Sequence, residues 1–269
     1  MSEQTISYRK QPPIAYVTIE RPARMNAIDP PTSKAMKEAF DDFVADDELL
    51  VAILTGAGDK AFCAGADLKY RLEHPHYSYG RGAESFPQQF GGLVRSPLAK
   101  PVIAAVNGYC LGGGLELVLA CDVAVAADTA TFGFPEVRNA GTIPGSGGTL
   151  RIGRQVPLKT AMWMLLSGER MSAEEAFRVG LVNRVVSPNE LMPEATRMAE
   201  IIARNRPEAV RLAKMIALRS LDRPLVDPPD AWDLYDLIPD RAEERAAEIE
   251  ARRAFFASTD RKSGRSTSL

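Results

Sequence analysis

The sequence of 269 residues has little of what metal-binding and nucleic-acid-binding proteins use. It contains two histidines and three cysteines, and Cys63, Cys110 and Cys121 show no C-x-x-C spacing, so a structural zinc site lacks its ligands. The 33 lysines and arginines are balanced by 35 aspartates and glutamates, which leaves no positive excess to neutralise phosphates. We therefore expect no metal site and no nucleic-acid partner.

The sequence also lacks the segments that direct a chain into a membrane. It has no run of about 18 apolar residues, the length that a membrane-spanning helix requires. Residues 1–5 (MSEQT) have neither the basic nor the apolar region of a signal peptide, and the last four residues (STSL) do not form the SKL peroxisomal signal. With 45% hydrophobic and 25% charged residues, we expect a cytoplasmic globular protein with no membrane partner.

Strands and helices alternate in the first half of the predicted structure. Apolar segments predict β-strands at residues 14–20, 49–55, 101–106 and 122–126. Several of these runs are continuous, which is typical of strands that are buried on both faces of a parallel sheet. Helices are predicted at residues 31–45 and 115–120. The alternation indicates an α/β domain.

The second half is predicted to be mostly helical. Helices are predicted at residues 159–167, from a capping box at Ser172 to Gly180, at 207–221 and at 240–257. Residues 71–92 show no periodicity and are predicted to form a long loop.

The first segment whose residue types suit a ligand site is residues 62–68 (FCAGADL), which follow a buried strand. Small residues let a ligand approach the backbone, and Gly65 permits unusual dihedral angles. If a helix begins near Ala66, the N–H group of Ala66 has no intrahelical partner and can point at a ligand oxygen. The alternative is a tight turn that binds nothing.

The second segment is residues 107–116 (NGYCLGGGLE), in which three successive glycines open a helix. Between residues 101 and 127 the only charged side chains are those of Glu116 and Asp122. Burial would raise the pKa of Glu116, whereas the helix N-terminus would lower it, and the sequence leaves this balance open. Glu116 either takes part in chemistry or is paired with a buried arginine or a backbone amide.

The third segment comprises residues 131–136 (TFGFPE) and the glycine-rich residues 141–148. Glu136 follows Glu116 by 20 residues, a separation that allows both carboxyl groups to reach one pocket. The glycine-rich stretch lacks the Lys-Ser/Thr ending of a Walker loop, which argues against a nucleotide-binding fold. Free amides and paired carboxyl groups instead predict enolate stabilisation coupled to proton transfer, without a metal or a redox cofactor.

These three segments, together with residues 143–149 and 168–185, resemble the enoyl-CoA hydratase/isomerase (crotonase) family over about residues 10–260. The resemblance implies a spiral of ββα units, with an α/β core at residues 1–200. It also implies a C-terminal helical trimerisation region at residues 201–269 and a homotrimer or homohexamer.

The resemblance further implies the site and the reaction. The thioester carbonyl of an acyl-CoA would lie in an oxyanion hole formed by the amides of Ala66 and Gly113. Glu116 and Glu136 match the two glutamates that handle water and protons in the family's hydratases, which hydrate trans-2-enoyl-CoA to 3-hydroxyacyl-CoA with no cofactor beyond the substrate's own CoA. The alternatives are a Δ3-Δ2-enoyl-CoA isomerase, a hydrolase, a C–C cleaving enzyme, or a non-catalytic CoA-binding protein.

Matching positions also imply the residues that contact substrate. Arg24 and Lys69 would contact phosphate or adenine, or else be ordinary surface charges. Phe134, where the family frequently has Gln or Leu, is expected to narrow the acyl pocket, and residues 136–141 (EVRNAG) form a loop one residue longer than usual. The remaining predicted substrate contacts are Ala64, Asp67, Leu68 and Gly145.

Overall fold

A computed structural model of the protein describes residues 4–74, 90–94, 98–221 and 250. The strands in this part of the chain are β1 (Ile6–Gln11), β2 (Ile14–Ile19), β3 (Val51–Gly56), β4 (Ala61–Cys63), β5 (Val102–Val106), β6 (Tyr109–Leu111), β7 (Val123–Ala127), β8 (Thr131–Gly133), β9 (Arg170–Ser172) and β10 (Arg184–Val186). The helices are α1 (Pro30–Ala45), α2 (Leu68–Glu73), α3 (Gly113–Ala120), α4 (Glu136–Ala140), α5 (Gly148–Gln155), α6 (Leu158–Ser167), α7 (Ala173–Arg178), α8 (Leu191–Ala203) and α9 (Pro207–Ser220).

The strands form two sheets that the chain visits in turn. The larger sheet has the order β1-β2-β3-β5-β7-β10, and its only antiparallel pair is β1–β2. The smaller sheet has the order β4-β6-β8-β9, and only β8–β9 is antiparallel. The pairs β3/β4, β5/β6 and β7/β8 each contribute one strand to each sheet and are followed by α2, α3 and α4. This is the predicted spiral of ββα units, and the fold class is confirmed, whereas the C-terminal trimerisation region stays a prediction.

The central strands of the larger sheet, β2, β3, β5 and β7, are buried on both faces, which explains their continuous apolar runs. Leu54 and Ala104 pack on one face, in the core that includes residues of α1 and α3. Ile53 and Ile103 point to the other face and pack with residues of α8 such as Leu191. Alternate residues of one strand thus enter two different cores, so neither face selects polar side chains.

The structure confirms the predicted longer strands and the predicted helices that correspond to α1, α3, α6, α7 and α9, and it adds elements that the sequence pattern did not predict. The capping box at Ser172 is present at the start of α7. The additional elements are β1, α4, α5, α8 and five strands of three residues each (β4, β6, β8, β9 and β10). The sequence left a helix start near Ala66 open, and α2 begins at Leu68. A three-residue strand is too short to show a periodic pattern.

The predicted loop at residues 71–92 begins later than expected, because residues 71–73 belong to α2. Its end is also structured, since residues 90–92 form a 3-10 turn. Residues 75–89 lie outside the described part of the chain. The predicted helix at 240–257 lies outside it too, except for Glu250, which is helical.

Internal contacts divide the chain into two compact units, residues 1–217 and residues 218–269. Only residues 218–221 and 250 of the second unit are described. The predicted boundary between core and C-terminal region, at residues 200 and 201, stays a prediction. Within the described ranges, no helix combines the length and the apolar character needed to cross a bilayer.

Candidate active site

Three turns of the spiral bring their connecting segments to one edge of the smaller sheet. β4, β6 and β8 are parallel neighbours, so their carboxyl ends lie side by side. The residues directly after these ends are 64–67, 112–113 and 134–136. Loops at the carboxyl ends of adjacent parallel strands are where ligand sites of α/β proteins form. The segments singled out from the sequence therefore converge.

The first of these turns leaves one backbone amide without a partner. Ala64 and Asp67 donate their N–H groups to carbonyls of segment 25–28, at 3.0 and 2.9 Å. Ala66 lies between them, and its N–H group has no acceptor among the described residues. Ala66 also keeps partial solvent exposure. Its N–H group is therefore open to a ligand, although α2 begins only at Leu68, two residues later.

The second turn presents another free amide close to the first. α3 begins at Gly113, and in the described chain the N–H group of Gly113 has no acceptor, as expected for the first residue of a helix. A Cβ atom added to Gly65 would lie 3.1 Å from the Gly113 nitrogen, so the two turns touch. Gly112, with φ 55° and ψ −122°, makes the sharp entry into α3 in a conformation that only glycine adopts readily.

Glu116 lies in the first turn of α3 and is 2% exposed. Its Oε1 accepts hydrogen bonds from the N–H groups of Ser146 at 2.6 Å and Gly148 at 2.8 Å. Burial raises the pKa of Glu116, while these two N–H groups and the charge of Arg151 oppose the shift. The sequence left open whether Glu116 is paired with a backbone amide, and the structure shows that it is. Both of these hydrogen bonds are accepted by Oε1.

Glu136 begins α4 and has a different environment. Its Oε2 is buried and has no hydrogen-bond partner in the described part of the chain. Burial raises the pKa of Glu136 to about 7; its own backbone N–H group opposes the shift and the nearby charge of Glu116 adds to it. A Cβ atom on Gly112 would lie 2.9 Å from Oε1, so the carboxyl group rests against the start of α3.

These groups form one constellation. Two free N–H groups, on Ala66 and Gly113, can stabilise a developing oxyanion. Two carboxyl groups that influence each other's charge, Glu116 and Glu136, can exchange protons with a substrate. Because the pKa of Glu136 is about 7, its protonated form is present at neutral pH.

Some of the predicted substrate-contacting residues are exposed to solvent, and others are buried. Arg24, Lys69 and Gly145 are exposed, and the side chain of Leu68 is 59% exposed. Asp67 is 4% exposed, and its carboxylate accepts hydrogen bonds from the first amides of α2. The first four can meet a ligand from solvent, whereas the Asp67 carboxylate is occupied within the protein.

Phe134 is buried beside Glu116. Its side chain has no exposed surface. A Cβ atom on Gly148 would lie 2.7 Å from the Phe134 ring and 3.0 Å from Cγ of Glu116, so the ring packs beneath the loop that holds Glu116. Phe134 therefore supports that loop, and its predicted contact with the acyl chain stays a prediction.

Three contributors were missed by sequence reasoning. The amides of Ser146 and Gly148 belong to the glycine-rich stretch that was considered as a phosphate loop, and they bind a carboxylate of the protein instead. The ring of Phe90 lies over Gly113, where an added Cβ atom would be 2.5 Å from it. Nothing in the pattern around residue 90 indicated this contact. In the ranges that the structure describes, no group of three His, Cys, Asp or Glu side chains is arranged to hold a metal ion.

Comparison with known proteins agrees with this geometry. Residues 9–230 match the family model described as enoyl-CoA hydratase/isomerase. A carnitinyl-CoA dehydratase of Salmonella typhi is 45% identical over 228 residues, 84% of each chain. The crystal structure of an enoyl-CoA hydratase from Mycobacterium marinum superposes with a TM-score of 0.83 at 37% identity, covering 93% of this chain and 97% of that one. For a carnitinyl-CoA hydratase from Mycobacterium avium, the TM-score is 0.73 at 36% identity, with the same coverage. The chain therefore belongs to the enoyl-CoA hydratase/isomerase family, and it is an enzyme of the crotonase-type hydratase/dehydratase class.

Proposed function

We propose that the protein adds water across the 2,3 double bond of a trans-2-enoyl-CoA thioester to give a 3-hydroxyacyl-CoA. The observation that carries the proposal is the carboxyl group of Glu136, which is buried, has an unpaired Oε2 and has a pKa of about 7. Next to it, Glu116 supplies a second carboxyl group held by backbone amides. A proton donor and a proton acceptor at neutral pH are what hydration requires.

The substrate carbonyl is activated by backbone amides. The thioester oxygen accepts hydrogen bonds from the N–H groups of Ala66 and Gly113, which strengthen as the oxygen gains charge. One such donor contributes about 3 kcal/mol to the stability of the transition state. The CoA moiety runs past Leu68 and Gly145, with Arg24 and Lys69 near its phosphates. The reaction needs no cofactor beyond the CoA of the substrate, because the thioester itself stabilises the enolate.

Glu116 and Glu136 each transfer one proton, so that the number of protons on the enzyme is unchanged after one turnover. The water oxygen forms a bond to C3, and the electrons of the double bond move to the thioester oxygen to give an enolate held by Ala66 and Gly113. Glu116 accepts the proton that water loses. Glu136 donates its proton to C2 as the enolate collapses. Transfer of one proton from Glu116 to Glu136 through solvent restores the starting state, and one water has been added.

The test uses purified protein and crotonyl-CoA and follows the loss of the conjugated enoyl-thioester absorbance. We expect Glu136→Gln and Glu116→Gln each to lower kcat by roughly 10²–10⁴-fold, the usual contribution of general acid–base catalysis. Glu200→Gln, on the exposed surface of α8, is the matched control and keeps the wild-type rate.

Three results would contradict hydration. Binding of CoA esters without loss of absorbance by the wild-type protein excludes the reaction on short unbranched chains. Near-normal conversion of a 3-enoyl-CoA by Glu116→Gln, together with its loss in Glu136→Gln, identifies an isomerase that uses Glu136 alone. Binding without any turnover of enoyl thioesters would identify a non-catalytic CoA-binding protein.

A second candidate substrate follows from the relatives named carnitinyl-CoA dehydratase, which are 45% identical to this chain. Carnitinyl-CoA is a 3-hydroxyacyl thioester, so its dehydration is the same reaction in the opposite direction, on a chain that carries a trimethylammonium group. The ratio of kcat/KM for carnitinyl-CoA to that for 3-hydroxybutyryl-CoA decides between the two. A ratio well above one identifies the cationic chain as the preferred substrate.

We also propose that the protein assembles as a homotrimer or homohexamer. Support comes from an apolar face on α5, α6 and α7, which we call the α5–α7 face. Its most exposed large side chains are Leu150 (75%), Leu158 (66%), Trp163 (64%), Leu166 (68%) and Phe177 (50%). Clusters of exposed large apolar side chains are typical of regions that contact another protein.

A further inference from the structure

A buried arginine outside the acid–base pair connects two segments next to the predicted oxyanion hole. The side chain of Arg21 is 13% exposed. Its Nη2 lies 2.7 Å from a carboxylate oxygen of Asp29 and 2.9 Å from one of Asp67, whose side chains are 8% and 5% exposed. Its Nη1 donates a hydrogen bond to the carbonyl of Ala27. We call Arg21, Asp29 and Asp67 the Arg21 cluster.

Both carboxylates of the Arg21 cluster cap helices. Asp29 is the N-cap residue of α1 and accepts a hydrogen bond from the N–H group of Thr32 at 2.9 Å. Asp67 is the N-cap residue of α2 and accepts hydrogen bonds from the N–H groups of residues 69 and 70. Arg21 therefore joins the starts of two helices and neutralises two buried negative charges that would otherwise repel each other.

The Arg21 cluster flanks a short parallel bridge that includes Ala66. Ile28 pairs with Ala66: the N–H group of Ile28 donates to the carbonyl of Gly65 at 2.8 Å, and the N–H group of Asp67 donates to the carbonyl of Ile28 at 2.9 Å. In such a bridge the central residue of the second segment directs its own N–H and C=O groups away from the first. The N–H group of Ala66 therefore points away from Ile28, and Asp29 and Asp67 each lie one residue beyond the bridge.

Electrostatics support a tight coupling between Arg21 and Asp67. Burial acts to raise the pKa of the Asp67 carboxyl, but the N–H group of Tyr70 and the guanidinium of Arg21 outweigh it, and the net shift is downward. Asp67 is therefore ionised at neutral pH and stays bound to the cation. Loss of Arg21 would leave two carboxylates buried without their cation, and relief of that repulsion would move residues 66 and 67 relative to α1.

We propose that Arg21 is a positioning residue for catalysis: through Asp29 and Asp67 it fixes the direction of the Ala66 N–H group that polarises the thioester carbonyl. The inference rests on the proposed function, because it requires Ala66 to be an oxyanion donor. Small displacements of such a donor lower the rate of the chemical step more than they lower substrate affinity, since the hydrogen bond gains most of its strength in the transition state.

The experiment compares wild-type protein with Arg21→Met and with the milder Asp67→Asn, which keeps the shape of the capping side chain and removes its charge. Each protein is assayed for kcat and KM with crotonyl-CoA and for thermal unfolding. A third measurement is the absorbance maximum of bound cinnamoyl-CoA, which moves to longer wavelength when the thioester carbonyl is polarised. We expect kcat to fall at least ~10-fold in both variants, KM to change less than ~3-fold, and the spectral shift to shrink.

The matched control removes a partly buried ion pair that lies elsewhere in the chain. Lys214 lies 2.7 Å from Asp122, and their side chains are 11% and 21% exposed. Lys214 is on α9 and also donates a hydrogen bond to the carbonyl of Lys100. We expect Lys214→Met to lower stability while it leaves kcat and the spectral shift at their wild-type values.

Failure of this inference is distinguishable from failure of the proposed function. If wild-type protein turns over crotonyl-CoA and shifts the bound chromophore, but both Arg21 cluster variants keep kcat and the shift and lose only stability, the positioning role is overturned. If Arg21→Met does not fold, Asp67→Asn alone decides in the same way. A wild-type protein that binds cinnamoyl-CoA with neither shift nor turnover overturns the oxyanion hole itself, and the positioning role with it.

Discussion

At the scale of single residues, the site depends on how differently its two carboxyl groups are held. Glu116 receives two backbone N–H groups on Oε1, whereas Oε2 of Glu136 is buried with no partner among the described residues. Burial raises the pKa of both, and for Glu136 it reaches about 7. This difference supports the proposed roles, in which the unpaired group donates a proton at neutral pH and the amide-bound group accepts one.

The raised pKa of Glu136 predicts a pH dependence. If protonated Glu136 donates the proton to C2, kcat for hydration falls as the pH rises through about 7, because the donor form is lost. Measurement of kcat between about pH 5.5 and 9 checks this. The residual activity of Glu136→Gln lacks the descending limb, since glutamine does not titrate. A wild-type rate that is constant or rising up to pH 9 would contradict the assignment of Glu136 as the acid.

At the scale of elements, the helix starts are specified locally. α7 has only six residues, and it begins at a capping box in which Ser172 and Glu175 exchange hydrogen bonds. The pattern was readable from the sequence because both partners lie within four consecutive residues. The start of α3 differs, because what the N–H group of Gly113 can bind depends on turns that are distant in the chain.

We predict that removal of the Ser172 cap of α7 lowers stability without lowering activity. We expect Ser172→Ala to lower the free energy of unfolding by about 1 kcal/mol, because the N–H group of Glu175 loses its acceptor. Denaturant unfolding measures the change, and kcat with crotonyl-CoA stays at the wild-type value. Ser172→Thr keeps the hydroxyl group and is the control. A stability equal to wild type in Ser172→Ala would show that the cap contributes nothing.

At the scale of the whole molecule, the α5–α7 face is the surface that we expect to contact a partner. Trp163 is 64% exposed and Leu166 is 68% exposed, and both lie on α6. Burial of such side chains against another copy gains roughly 25 cal/mol for each Å² of apolar area removed from water. A second copy of the chain is the partner that the proposed homotrimer or homohexamer supplies.

If the α5–α7 face is an interface between copies of the chain, one charge introduced into it disrupts the assembly. We expect Trp163→Glu to reduce the mass of the particle, because a carboxylate would be buried without a counter-charge at the interface. Light scattering after size exclusion measures the mass. Val44→Glu on α1, where the wild-type side chain is 39% exposed, is the control and keeps the assembly of the wild type. An unchanged mass for Trp163→Glu would remove this face from the interface.

The sequence alone was sufficient for the class of fold and for the segments that meet at the site. Continuous apolar runs predict strands buried on both faces, and glycine-rich turns after strands predict exposed amides, because both properties are local. The motif at residues 62–68, the glycines before Glu116 and the segment that ends at Glu136 were located on these grounds.

Only the tertiary structure decided what those residues contact. The three-residue strands β4, β6 and β8 exist because they pair with one another, and no pattern of three residues predicts pairing. Glu116 accepts a hydrogen bond from a backbone amide 30 residues further along the chain. Arg21 donates a hydrogen bond to the carboxylate of Asp67, 46 residues away. Phe134 lies in the core although its neighbour Glu136 is partly exposed. These contacts link segments that are distant in the chain, so their partners are determined by packing and not by local sequence.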